Sequence, residues 1–125
     1  MQNKKFSFQA RLRSFKYAFQ GLGALIRNEH NARIHLFAAI CVMIAGIIFS
    51  VSTVEWLVIS LAIGAVFAAE AFNSSIEALS DLVSPGYNEK IKKAKDFAAA
   101  AVLITAVAAA TAGLIIFIPK IAGLF

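Results

Sequence analysis

Charged residues, cysteine and proline are all scarce in this chain of 125 residues. Charged side chains make up 15% of it and hydrophobic ones 60%, far from the balance of an ordinary soluble domain. The single cysteine, Cys41, lies in an apolar run, which excludes an intrachain disulfide and a cysteine-based zinc site. The two prolines, Pro85 and Pro119, lie outside the long apolar runs. These absences predict a helical membrane protein with no room for a separate soluble domain.

Several motifs of soluble proteins are also missing. There is no GxxxxGK[ST] phosphate-binding loop, and Gly21 and Gly23 lack both a third glycine and a preceding strand. His30 and His35 have no cysteine or third histidine beside them, so a zinc site is not predicted. The net charge of +5 comes from cations that flank apolar runs, which argues against nucleic-acid binding. The basic N-terminal segment has no apolar core with a cleavage site, so no cleavable signal peptide is expected.

A helix is predicted over residues 6 to 28. Its apolar residues recur at intervals of three and four, which places them on one face: Phe8, Leu12, Phe15, Phe19, Leu22 and Ile26. Basic and amide side chains occupy the other faces. This pattern is typical of an amphipathic helix in the plane of an anionic membrane surface, and packing on a partner helix is the alternative.

Three membrane-spanning helices are predicted at about residues 34–51, 55–83 and 96–118, so that residues 1–125 form one membrane domain. Glu55 and Trp56 are expected to mark a tight turn between the first two spans. The sequence SPGYN ends the second span, and the polar stretch NEKIKKAKD is interpreted as a loop that leads into the third. Alanine runs in the third span favour close helix packing in a bundle or oligomer.

The distribution of cations predicts the orientation in the membrane. Seven Lys or Arg residues precede the first span, four lie between residues 90 and 95, and Lys120 stands alone near the end. Because eleven of the twelve fall on one side, the positive-inside rule makes that side cytoplasmic and puts the C-terminus outside.

One polar stripe runs along the second span. On a helix, Glu70, Asn73, Glu77 and Asp81 fall within an arc of roughly 80°. A carboxylate in hydrocarbon costs at least about 2.5 kcal/mol, so the acids on this stripe need a partner, a metal ion or water. Hydrogen bonds between helices are one explanation, whereas several acids on one face favour a divalent cation with nucleotide phosphates.

Two further groups lie on the same predicted side. Glu29 follows the surface helix directly and is a candidate second metal ligand, although a solvated acid beside Arg27 and Arg33 is an equal alternative. Lys95 opens the third span and can reach nucleotide phosphates as a point charge. Asp96 can orient Lys95 or contact the ribose or the metal shell.

These segments resemble one known family. EAFNSSIEALSD at 70 to 81, AKDFAAAAVL at 94 to 103 and KYAFQGLGALIRNE at 16 to 29 are similar to the signature of the prokaryotic diacylglycerol kinases, over essentially the whole chain. The resemblance implies a homotrimeric kinase of the bacterial inner membrane that uses ATP and Mg²⁺ to phosphorylate a lipid alcohol, either diacylglycerol or undecaprenol.

The resemblance also implies roles for individual residues. Glu70 would be the general base, Glu29 and Glu77 would hold magnesium and contact the nucleotide, and Asn73 and Asp81 would support the site. The remaining nucleotide contacts would be Tyr17, Gly86, Tyr87, Asn88, Lys95 and Asp96. The chain departs from the family pattern at Ala10, where an arginine is expected to touch the nucleotide, and at Ala99, where some members carry serine.

A small oligomeric transporter or channel with intramembrane carboxylates is the alternative function. The crowding of the acids towards one interface, together with Lys95 and Asp96, favours the kinase. The choice of lipid stays open from the residues alone, since Ala, Ile and Phe accept any acyl or prenyl chain. RNEHNARIH at 27 to 35 resembles the undecaprenol-acting members more closely.

Overall fold

The chain is a bundle of four helices. The computed structural model describes residues 5–125, with α1 at Phe8–Asn28, α2 at His30–Ile48, α3 at Thr53–Val83 and α4 at Glu89–Ala122. The last three are long and apolar enough to cross a membrane. Within the described residues helices are the only regular secondary structure, which confirms the prediction of an all-α protein with three apolar spans.

The spans alternate in direction, so the bundle has two distinct ends. The near end contains the α1–α2 junction at Glu29 and the turn over residues 84–88, where Lys95 of α4 contacts Asp81 of α3. The far end contains the loop over residues 49–52 and the C-terminus, where Lys120 of α4 contacts Glu55 of α3. Arg27 and Arg33, beside Glu29, and the lysines of residues 90–95 therefore lie at the near end.

The apolar core lies towards the far end. Val51, Ile59 and Ile116 are buried together, and the Trp56 ring packs against them. Gly46 of α2 gives that ring room, because a Cβ at this position would come within 2.6 Å of Trp56 Cη2. Close helix approach at this glycine fixes how α2 meets α3.

The loop between α2 and α3 differs from the prediction of a turn at Glu55 and Trp56. Ser50 adopts a left-handed φ of 51°, and the amide of Val51 donates to the Gly46 carbonyl at 3.1 Å, which ends α2 in a Schellman motif. Ser52 and Glu55 then cap α3 reciprocally, at 3.1 and 2.9 Å. Glu55 and Trp56 therefore belong to the first turn of α3, and the tight turn precedes them.

The prediction of a loop over NEKIKKAKD was wrong. The Asn88 side chain accepts hydrogen bonds from the amides of Lys90 and Ile91, so α4 already begins at Glu89. Good helix-forming residues continue from there, with a Lys92–Asp96 pair one turn apart. At its other end α4 continues through Pro119 to Ala122, and α2 begins at His30, four residues before the predicted span.

Candidate functional site

Glu70 is the centre of the polar site on α3. It is 1% exposed and is the largest fully buried side chain among the described residues. Its Oε1 lies 3.3 Å from Nε2 of His35 on α2, yet no hydrogen bond to Oε1 has acceptable geometry. A carboxylate that the fold shields in this way is costly unless another group compensates its charge.

Two more side chains with unpaired oxygens lie within the next turn of α3. Asn73 Oδ1 and Ser74 Oγ are buried, and neither has a hydrogen-bond partner in the described part of the chain. Buried polar atoms are nearly always paired in proteins, so three orphaned oxygens in five residues point to a missing partner outside the single chain. That partner can be a ligand, a metal ion, water or a second subunit.

The polar stripe becomes more exposed towards the near end. Glu70 is buried, Asn73 and Glu77 are half-buried, and Asp81 is exposed. Glu29 occupies the single extended residue between α1 and α2, with φ −113° and ψ 118°, and is half-buried. The charges of Glu29 and Glu77 both act on Glu70, so the three predicted carboxylates lie in one region.

A groove of about 540 Å³ separates α1 from α3 next to these acids. Asn28 and Glu29 line it from the α1 side, and Ser74 and Ser75 line it from α3, while small alanines and Gly21 form much of the remaining wall. This volume is within the usual range for small-molecule sites. The groove therefore gives a ligand access to Ser74 and Glu29 from the near end.

Lys95 reaches the polar stripe from α4. Its Nζ lies 3.4 Å from Asp81 Oδ1, and the pair joins α3 to α4. Asp96 instead contacts Lys92 of its own helix at 2.7 Å, so Asp81, not Asp96, orients Lys95. The ammonium of Lys95 therefore lies beside the acidic face of α3.

Among the described residues, no hydrogen bond or ion pair joins the other predicted nucleotide contacts, Tyr17, Gly86, Tyr87 and Asn88, to the acidic stripe. Tyr17 and Tyr87 are exposed, and Tyr17 does not line the groove between α1 and α3. Gly86 lies in the turn, where its carbonyl accepts a hydrogen bond from the Ser84 hydroxyl at 3.0 Å. The Asn88 carboxamide oxygen is used to cap α4.

The sequence interpretation did not identify the contact of His35 with Glu70, or Ser74 as part of the site. Helical spacing could have predicted Ser74 as a site residue, because it lies four residues after Glu70 and so on the same face of α3. His35 gave a weaker signal, since a histidine at the start of an apolar span has no fixed partner until two helices are packed.

Within residues 5–125 no three His, Cys, Asp or Glu side chains are placed to hold a metal ion by themselves. Any divalent cation at this site would need ligands besides the protein carboxylates. Magnesium is commonly bound in this way, through one or two carboxylates, substrate phosphates and water.

Comparisons with known proteins identify the family. The family model described as "Prokaryotic diacylglycerol kinase" matches residues 16–117. The undecaprenol kinase of Bacillus subtilis is 39% identical over 109 residues, 87% of this chain and 89% of the relative. The diacylglycerol kinase of Synechocystis is 34% identical over 112 residues, 89% of this chain and 64% of the relative. The diacylglycerol kinase of Escherichia coli is 28% identical over 109 residues, 87% of this chain and 89% of the relative.

The match covers the polar stripe, Glu29, Lys95, all of α2 and α3, and α4 as far as residue 117, so it includes every element that builds the site. A transporter or channel is thereby set aside, and the three apolar helices fit a bacterial membrane protein. The chain belongs to the prokaryotic diacylglycerol kinase family and is a lipid kinase.

Proposed function

We propose that the protein transfers the γ-phosphate of ATP to the hydroxyl of a membrane lipid alcohol in a magnesium-dependent reaction. The observation that carries this proposal is the cluster of buried, unpaired oxygens at Glu70, Asn73 and Ser74. Such a cluster within an apolar helix destabilises the fold, and a polar substrate group at this position would provide the missing hydrogen-bond partners.

Glu70 is the general base in this proposal. The lipid O–H bond breaks and its proton passes to the Glu70 carboxylate, while the lipid oxygen bonds to the γ-phosphorus. The bond from that phosphorus to the β–γ bridging oxygen breaks and ADP leaves. Phosphoryl transfer needs chiefly positioning and charge neutralisation, which a few helices can supply. Asn73 lies one turn from Glu70, and its carboxamide is proposed to form hydrogen bonds with the reacting groups.

Glu29 and Glu77 are the proposed magnesium ligands. Both are half-buried, both lie close enough for their charges to act on Glu70, and carboxylate oxygens suit this cation. When bound with the nucleotide, magnesium neutralises phosphate charge. In this proposal the two carboxylates hold the phosphates near Glu70, Glu77 from the same helix and Glu29 from the α1–α2 junction.

Lys95 is the proposed contact to the nucleotide phosphates, and Asp81 holds it in place across the α3–α4 interface. The other proposed nucleotide contacts are Gly86, Tyr87 and Asn88 in the turn before α4, Asp96 within α4, and Tyr17 of α1. The exposure of the two tyrosines leaves their rings free to pack on a nucleotide base.

We further propose that undecaprenol is the lipid substrate. The relative named undecaprenol kinase is 39% identical to this chain, while the two relatives named diacylglycerol kinase above are 34% and 28% identical. The segment RNEHNARIH, which contains Glu29 and His35, resembles the undecaprenol-acting members as well.

The proposed location is the bacterial inner membrane, with the near end of the bundle in the cytoplasm. The cation-rich segments at that end support this orientation. α1 is proposed to lie on the membrane surface, because Phe8, Phe15 and Phe19 stay exposed on one of its faces.

A homotrimer is part of the same proposal. A neighbouring subunit offers a partner to the exposed apolar helix faces and to the unpaired oxygens on α3. Light scattering of the protein in detergent measures the subunit number, and an active monomer would contradict this assembly.

The proposed activity is tested by transfer of labelled phosphate from ATP to lipid in mixed micelles, with undecaprenol and diacylglycerol in parallel. We expect labelled undecaprenyl phosphate, dependent on magnesium, and no product with Glu70→Gln. Faster labelling of diacylglycerol would refute the substrate assignment. An active Glu70→Gln protein would refute the role of the base.

A further inference from the structure

His35 is the one basic side chain that approaches Glu70. The two side chains meet across the α2–α3 interface at 3.3 Å, and no Lys or Arg of residues 5–125 lies within 4.0 Å of the Glu70 carboxylate. His35 is 23% exposed, so water competes only partly for its ring. The oxygen that faces it, Oε1, is shielded from solvent.

The surroundings of His35 are otherwise apolar. It lines a groove of about 550 Å³ between α2, α3 and α4, and the other lining residues are Ala, Gly, Val, Ile, Leu and Phe. No hydrogen bond from the imidazole to another group occurs in the part of the chain that the structure describes. Electrostatic interactions are stronger in such a setting than in water, so the imidazole and the carboxylate act mainly on each other.

Glu70 also experiences repulsion from the charges of Glu29 and Glu77. Without a group that opposes it, that repulsion favours rotation of the carboxylate away from the position in which it accepts a proton. A histidine ring beside one oxygen opposes that rotation, because its N–H can donate to the oxygen once the ring is aligned with it.

We propose that His35 is a positioning residue for Glu70: its Nε2 lies 3.3 Å from Oε1 without a hydrogen bond, and a rotation of the imidazole brings the N–H onto that oxygen, which leaves Oε2 to receive the proton of the lipid hydroxyl. This inference rests on the proposed role of Glu70 as the base. It assigns His35 to orientation of the base and not to contact with the nucleotide, so its loss lowers turnover without weakening nucleotide binding.

The test compares three variants of the full chain, purified in a membrane mimic, by kcat and by KM for MgATP. His35→Leu removes the N–H donor at similar volume. His35→Gln keeps an N–H donor near the position of Nε2. His30→Leu is the matched control, because His30 is exposed and contacts Arg33 instead of Glu70. Thermal unfolding of each variant is followed in parallel.

We expect His35→Leu to lower kcat by about tenfold to a hundredfold, the loss typical of a misplaced catalytic group, with KM for MgATP unchanged. His35→Gln should recover most of that loss, and His30→Leu should behave as the parent protein. Equal kcat losses in His35→Gln and His35→Leu would overturn the proposal, since packing alone would then explain them. An unchanged kcat in His35→Leu would overturn it as well, while the inactivity of Glu70→Gln would still support the proposed function.

Discussion

Replacement of Lys95 by Gln is the sharpest test of how the near end binds the nucleotide. Lys95 and Lys92 lie one turn or less apart on α4, and each contacts one aspartate. Lys95 contacts Asp81 of α3, beside the acidic stripe, whereas Lys92 contacts Asp96 of its own helix. Lys92→Gln therefore removes the same charge from the same helix without reaching the proposed phosphate site.

The expected magnitude follows from the two environments. The Lys95 side chain is 39% exposed and that of Lys92 is 58% exposed. Exposed ion pairs contribute about 0.2–1 kcal/mol, so neither change should lower the stability much. A charge-assisted hydrogen bond to a phosphate contributes about 1.5–3 kcal/mol. Its loss corresponds to an increase in KM for MgATP of about tenfold to 150-fold for Lys95→Gln.

The assay is steady-state phosphorylation of undecaprenol in mixed micelles, with MgATP varied at saturating lipid. We expect KM for MgATP to rise in Lys95→Gln and to change by less than about threefold in Lys92→Gln, as an exposed pair predicts. Raised KM values of similar size in both variants would mean that general positive charge attracts the nucleotide. An unchanged KM in Lys95→Gln would refute the assignment of this ammonium to the phosphates.

Two further changes test the metal site and the packing. Glu77→Gln should raise the magnesium concentration needed for half-maximal activity, because one of two proposed carboxylate ligands is lost; Glu55→Gln, at the opposite end of α3, should leave that concentration unchanged. Unaltered magnesium dependence in Glu77→Gln would remove Glu77 from the metal site. Gly46→Ala should lower the thermal unfolding temperature, because its Cβ would meet the Trp56 ring at 2.6 Å and overpacking costs about 1–3 kcal/mol. Gly64→Ala has no atom within 4 Å of its added Cβ and should stabilise α3 by up to about 1 kcal/mol, so equal losses in both glycine variants would refute the steric argument.

The positions of the helices were predictable because long apolar runs and periodic spacing depend on local sequence. The errors occurred at the ends of the helices, where capping interactions decide which residue is the first or the last of a helix. Asn88 caps α4, which begins at Glu89, seven residues before the predicted third span, since a side-chain oxygen that pairs with free amides can start a helix within a charged segment. Ser50 and Ser52 likewise place the α2–α3 turn before Glu55, through backbone geometry that composition does not reveal.

The sequence by itself determined the membrane class, the three apolar spans and the stripe from Glu70 to Asp81, because each depends on residue type and helical period along one segment. Only the tertiary structure decided which side chains from different helices meet: His35 with Glu70, and Lys95 with Asp81 in place of Asp96. Those pairs depend on how each helix is rotated and where it ends. The rotation of each helix about its axis is set by packing between helices, as at Gly46 and Trp56. The sequence of one helix therefore does not show which residues of another helix its side chains will contact.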